Sequence, residues 1–400
     1  MRRNVPVLFA VCVGYGFSTG LFDFAVPFYL RSHGHSFTAI GYIFSISALV
    51  IFLLRIYLAR LSDLVGRKLL YIGSLALTSL SCLAFPYVRN LLGLAGLKTG
   101  TDLSFGVRET MHATALYESR REGFLSLQGK TRGTEMVFMA AGTIAAAYLI
   151  YDYRVAFAVP FFVLLATLAV FAVGFSEPAE LTAAGRQRAG LAALLTASFP
   201  REIKILALSG FIFGVAISAS HRYIPPLFFE QKFALSKPAI GRIQLVHILS
   251  HVPGLFLVGW VVKRRLKGVF FWTLFVEGIL IALVGCFASL GPTLFFWWTH
   301  DIVGAGFWAP IQWTLIQRYA RKGSRGLDAS VVPAVTALGY ILGPLMAGFL
   351  AEARRVPLTA IELSPAQSIS LPLIASGVII VAAALPLLLL PPDRASGTKP

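Results

Sequence analysis

Charge is what this sequence is short of. Only 13% of its 400 residues are charged and just 18 are acidic, while 57% are hydrophobic and the mean hydropathy is +0.76. A soluble domain carries about a quarter charged residues, so this composition excludes one and indicates a polytopic membrane protein. Cysteine is nearly missing: Cys12, Cys82 and Cys286 lie in apolar runs without metal-cluster spacing, which excludes a disulfide framework and a thiolate metal centre. A Gly-x-x-x-x-Gly-Lys-Ser/Thr phosphate loop is lacking, which removes support for an ATP-driven pump. Gly-x-Ser-x-Gly and metalloprotease-helix patterns are lacking too, so neither an enzyme nor a cofactor is expected.

What is there is a succession of apolar runs. At about 1.5 Å per residue, runs of about 20 residues cross the roughly 30 Å hydrocarbon layer. The first, Val5–Leu30, is longer than a signal-peptide core and has no small-residue cleavage site, so it reads as a retained span 1. Spans 2 to 6 follow at Ile40–Leu58, Leu69–Val88, Leu91–His112, Glu135–Tyr151 and Val155–Phe175. A polar stretch then interrupts the pattern, with Arg186, Arg188 and Arg201 beside Glu177, Glu180 and Glu202. Spans 7 to 12 are Ile205–Tyr223, Ile240–Val262, Val269–Leu290, Thr293–Ile316, Leu327–Ala351 and Ile369–Leu390. The expected architecture is all-α: twelve transmembrane helices in two pseudo-symmetric six-helix bundles, residues 1–176 and 205–400, joined by a linker at 177–204.

The formal charge of +17 raises the question of a nucleic-acid partner, and the placement of the bases answers it. Arg60/Arg67/Lys68, Arg120/Arg121/Lys130/Arg132, Lys263/Arg264/Arg265/Lys267 and Arg318/Arg321/Lys322/Arg325 all fall in turns on one side, with Arg2, Arg3, Arg394 and Lys399. The opposite loops are nearly bare, as at Ser289-Leu290-Gly291-Pro292. This is the positive-inside bias, so the charge reports orientation, with both termini cytoplasmic, rather than binding to nucleic acid. A prokaryotic inner membrane and a monomeric chain in contact with lipid are expected.

One turn carries a recognisable pattern. The stretch Ala59-Arg60-Leu61-Ser62-Asp63-Leu64-Val65-Gly66-Arg67-Lys68 resembles the loop between helices 2 and 3 of the major facilitator superfamily, Gly-x-Leu-x-Asp-x-x-Gly-Arg-Arg/Lys. Leu61, Asp63, Gly66, Arg67 and Lys68 match, and Ala59 replaces the first Gly. A degenerate copy, Gly259-Trp260-Val261-Val262-Lys263-Arg264-Arg265, follows span 8, and Leu338-Gly339-Tyr340-Ile341-Leu342-Gly343-Pro344 is similar to the family's glycine-rich helix. The resemblance implies a secondary transporter with a solute site between two halves. It also implies a cytoplasmic latch at Asp63, Gly66, Arg67 and Lys68; the alternative is that these residues only set topology.

Ionisable residues inside spans point to function, because each costs about 3 kcal/mol at the bilayer centre unless it meets a partner or water. They are Asp23 on span 1; Lys98, Asp102, Arg108 and Glu109 on span 4; His221 and Arg222 near the end of span 7; and His300 and Asp301 on span 10. The resemblance implies that spans 1, 4, 7 and 10 line the solute cavity. Glu277 on span 9 is an exception, and Arg55, Glu135 and Arg242 lie near span ends, from which they can snorkel.

Lys98, Asp102 and Glu109 share a helical face, and an acid beside a cation can alternate between protonation states, as coupling to protons requires. A permanent Lys98–Asp102 ion pair is the alternative. The family resemblance places Lys98 near a helix-4 Arg that takes part in coupling. Asp301 can orient or charge His300, and Trp297 can stack on a planar or cationic solute or simply pack. His247 and His251 have chelating spacing but share their face with Gln244 and no carboxylate, so a helix contact is expected there and not a metal.

The resulting expectation is alternating-access transport of a small organic solute, coupled to protons. Asp23 favours efflux by resemblance to multidrug exporters. Span 5, however, has Gly142-Thr143-Ile144-Ala145-Ala146-Ala147 where drug/proton antiporters carry a Gly-Pro element. Uptake of an organic anion on Lys98, Arg108 and Arg222 is the alternative, and a non-transporting receptor or scaffold is the alternative of another class.

Overall fold

The computed structural model of the chain describes residues 4–65, 67–119, 124–176, 198–261, 265–321, 325–355 and 361–392. Regular structure among them is helical, apart from an isolated bridge between Arg355 and Glu362. The first six spans are α1 (Asn4–Ser32), α2 (Phe37–Val65), α3 (Arg67–Ala84), α4 (Leu91–Ser119), α5 (Phe124–Leu149) and α6 (Tyr153–Gly174). After residues 177–197, which hold most of the expected linker and lie outside the described residues, come α7 (Arg201–His221) and α8 (Ile224–Phe233). These are followed by α9 (Lys237–Val261), α10 (Leu266–Cys286), α11 (Leu290–Val303), α12 (Ala305–Tyr319), α13 (Arg325–Ala351), α14 (Pro365–Ser368) and α15 (Leu371–Ala384).

The helices outrun the apolar windows. α5 begins at Phe124 rather than Glu135, and α7 takes in Arg201 to Lys204 from the expected linker. The reason is that membrane thickness limits the apolar length, whereas Arg, Lys, Gln and Glu are good helix formers and carry a helix on past it. Residues 224–233, between spans 7 and 8 in the sequence reading, are helical as α8. Pro225 and Pro226 occupy its first turn, where a missing N–H costs nothing. Span 10 is two helices, α11 and α12, broken at Gly304.

Eight described segments are long and apolar enough to cross a membrane by length and composition. The expected spans outside that set are 4, 5, 8 and 10. These carry Lys98, Asp102 and Arg108 on α4, Glu135 on α5, His247 and His251 on α9, and His300 and Asp301 on α11. Span 10 also falls short in length, because its two helices have 14 and 15 residues.

The chain divides into two compact units, Met1–Arg188 with Leu235–Leu249, and Ala189–Ala234 with Ser250–Pro400. In the first, α1 packs on α5 and α6, and α4 packs on α2 and α3. Gly20 and Gly142 let the α1 and α5 backbones touch: a Cβ on Gly142 would collide with the Phe17 carbonyl, and one on Gly20 with the Met139 carbonyl. An aromatic cluster of Phe22, Tyr29, Phe85 and Phe157 fills the interior. Asn4 ties the start of α1 to Ser176 with two hydrogen bonds, of 2.8 and 3.1 Å. In the second unit α7 packs on α13 and α15, and α10 on α15, around Leu206, Phe213, Phe270, Leu274, Leu315 and Ile380.

Two lysines hold corresponding places in the two units. Lys68, at the start of α3, donates to the carbonyl of Phe175, the C-cap of α6, at 2.6 Å. Lys267, at the start of α10, donates to the carbonyls of Leu388 (2.9 Å) and Leu390 at the last helical turn among the described residues. Each supplies a cation to orphan carbonyls at a helix C-terminus. Outward-facing Leu92, Phe162, Val173, Trp272 and Phe295 are exposed, as lipid-facing side chains are.

Candidate functional site

The first unit holds a three-way ionic cluster. Lys98 and Asp102 stand one turn apart on α4, and the ammonium lies 2.6 Å from Asp102 Oδ1. It also lies 3.4 Å from Asp23 Oδ1 on α1. Ser47 of α2 donates to the other Asp102 oxygen at 2.7 Å. Lys98 is 3% exposed at its side chain, Asp102 15% and Asp23 53%, so the cluster runs from a dry cation to a wet acid. Phe44 packs 4.9 Å from the ammonium. The sequence reading named the three charged residues and missed Ser47, a hydroxyl that nothing in its apolar surroundings marks.

A second ionic group lies farther along α4. Arg108 is buried and meets Glu135 of α5 at 2.9 Å, and Arg132 meets the same carboxylate oxygen at 3.1 Å. The Arg108 guanidinium also rests 3.9 Å from the Tyr15 ring centroid. Glu135 does not snorkel from a span end. Because α5 starts at Phe124, it sits about three turns inside a helix, buried and paired. Nearby, His112 contacts the Tyr71 hydroxyl at 2.9 Å and the Cys12 thiol at 3.6 Å.

The second unit gathers histidines around one acid. His221, the last residue of α7, has its Nε2 3.0 Å from Nε2 of His300 on α11. His300 Nε2 lies 3.5 Å from Asp301 Oδ1, and His251 Nε2 on α9 lies 3.2 Å from the same oxygen. Ser250 approaches the other Asp301 oxygen at 3.5 Å. Trp297 is fully buried and stacks on His221 at 5.4 Å, and Ser220 bonds His221 Nδ1 at 2.7 Å. Helical spacing pairs His251 with His247; the fold pairs it instead with a carboxylate from another helix. Glu277 of α10 is buried, and its carboxylate fills the notch at Gly304.

Arg222 stands apart, exposed with its guanidinium 5.5 Å from the Tyr340 ring. Gly66 and the side chains of Asp63, Arg67 and Glu109 lie outside the described residues. Lys68 is described, and it caps α6.

The comparisons bear on this architecture as a whole. No curated protein matches the chain. Among solved structures, the nucleoside transporter NupG superposes with a TM-score of 0.78 at 11% identity, over 97% of this chain and 100% of its own. A bacterial homologue of the iron transporter ferroportin, in an inward-facing state, gives 0.70 at 15%, over 97% and 98%. The human organic anion transporter MFSD10 (TETRAN) gives 0.65 at 16%, over 96% and 99%. At such identities the likeness shows the fold. The model of the Major Facilitator Superfamily matches residues 8–326, most of the sequence. With that match and a helical fold shared end to end with solved carriers, this chain belongs to the Major Facilitator Superfamily: a multi-pass membrane transporter and not an enzyme.

Proposed function

We propose that this protein is a secondary active transporter that moves a small organic solute by alternating access and couples that movement to protons, with efflux favoured. The observation that carries the reading is the Lys98 ammonium at 2.6 Å from Asp102 and 3.4 Å from Asp23. One cation beside two carboxylates leaves an excess negative charge, and a proton on either acid removes it. Asp23, half exposed, is the acid that can exchange that proton with water.

Uptake of an organic anion draws less support. Lys98 is engaged by two acids, so it brings no spare positive charge to a solute. Solute choice rests on side chains and not on the fold, since the structural neighbours named above include a nucleoside transporter, an organic anion transporter and a homologue of an iron transporter. The bias of Lys and Arg toward one set of turns supports a cytoplasmic location for both termini. The motif resemblance supports a cytoplasmic latch at Asp63, Gly66, Arg67 and Lys68.

The test uses proteoliposomes loaded with a pH-sensitive dye and challenged with a panel of nucleosides, organic anions and lipophilic cations. The wild type should move protons when given its solute, and Asp102→Asn should abolish that flux while keeping solute binding in a thermal-shift assay. Solute movement that ignores an imposed pH gradient would remove the coupling. Tolerance of both Asp102→Asn and Lys98→Ala would favour a scaffold.

A further inference from the structure

The histidine cluster of the second unit has the composition of a metal site. We propose that His221, His300 and Asp301 bind a borderline divalent cation of the Zn2+ or Co2+ class, with His251 positioned to join them. The candidate ligand atoms of His221, His300 and Asp301 all lie within 4.8 Å of one another. Two of the separations are 3.0 Å (His221 Nε2 to His300 Nε2) and 3.5 Å (His300 Nε2 to Asp301 Oδ1). Metal–nitrogen and metal–oxygen bonds of about 2.0–2.2 Å around a tetrahedral ion put neighbouring ligand atoms about 3.4 Å apart, so both edges are already close to coordination length.

The ligand set selects the ion class. Imidazoles with one carboxylate suit Zn2+, Co2+ and Fe2+, whereas Mg2+ and Ca2+ call for more oxygen. Three helices supply the groups: α7 gives His221, α9 gives His251 and α11 gives His300 and Asp301. Orienting partners are in place as well. Ser220 holds His221 Nδ1 at 2.7 Å, and the Phe296 carbonyl lies 3.3 Å from His300 Nδ1. In each case the contact is through Nδ1, which leaves Nε2 directed at the other histidine, the arrangement that outer-shell hydrogen bonds give to ligating imidazoles.

Metal binding at this cluster does not depend on proton coupling in the first unit.

The experiment is titration of purified full-length protein, freed of any histidine tag, with Co2+ alone. The expected result is a single saturable site with the intense visible bands of a four-coordinate ion, displaced by Zn2+ and not by Mg2+. His221→Gln, at the partly accessible edge of the cluster, and Asp301→Asn should each weaken binding at least about 10-fold. His33→Gln, at an exposed helix end, should bind as the wild type does. Size-exclusion profiles confirm that each variant is folded, and if Asp301→Asn is not, His221→Gln decides alone. Only six-coordinate spectra, or wild-type affinity in folded His221→Gln, would overturn the assignment.

Discussion

Arg108 and Glu135 meet at 2.9 Å inside the first unit, and both side chains are buried. Removing one partner of such a pair leaves the other charge stranded, at a cost of about 3–5 kcal/mol. Glu135→Gln should therefore lower the thermal midpoint sharply. Arg132→Gln removes a cation that is 43% exposed and should cost less than about 1 kcal/mol. Thermal-shift midpoints of the two variants in detergent give the ranking, and equal midpoints would refute it.

The Lys98 cluster predicts a non-additive double mutant. Lys98→Met leaves two carboxylates without their cation and should destabilise by about 3 kcal/mol. Adding Asp102→Asn removes one of those charges, so the double variant should be more stable than Lys98→Met alone. A cycle of thermal unfolding measurements reads the coupling, and additive losses would mean that the ion pair carries little energy.

Helix contact predicts opposite fates for two glycines of α5. Gly142→Ala drives a methyl into the Phe17 carbonyl of α1 and should cost about 1–3 kcal/mol through forced separation of the helices. Gly133 has open space where a Cβ would stand, and Gly133→Ala should stabilise by about 0.5–1 kcal/mol through helix propensity. Expression yield and thermal midpoint together report both signs.

Lys68 and Lys267 predict local fraying. Replacing either by Met removes a charge-assisted bond to terminal carbonyls, worth about 1.5–3 kcal/mol. Hydrogen exchange should rise around Phe175 in Lys68→Met and around Leu388 in Lys267→Met, each variant leaving the other region at wild-type rates.

Much of the fold was legible because a bilayer imposes one length on every crossing segment, and apolar windows expose that length directly. Helix ends were less legible: the cationic turns that stop an apolar window continue a helix, as at Phe124 to Glu135 in α5. The break in span 10 was hidden too, because Gly304 sits in an apolar run and glycine is common in membrane helices. Of the sites, Asp23, Lys98 and Asp102 were readable from charge in an apolar setting, and so were His300 and Asp301. Their partners were not. Ser47, and His251 as a neighbour of Asp301, come from other helices, and helical periodicity relates residues only along one helix.

Gly304 and Glu277 fit as socket and plug: a methyl at position 304 would lie 2.6 Å from Glu277 Oε2. Neither residue is therefore free to drift alone. A lineage that enlarges residue 304 must first shorten residue 277, and Glu277→Ala should rescue an otherwise misfolded Gly304→Ala. The interrupted helix and the buried acid are then one inherited trait rather than two.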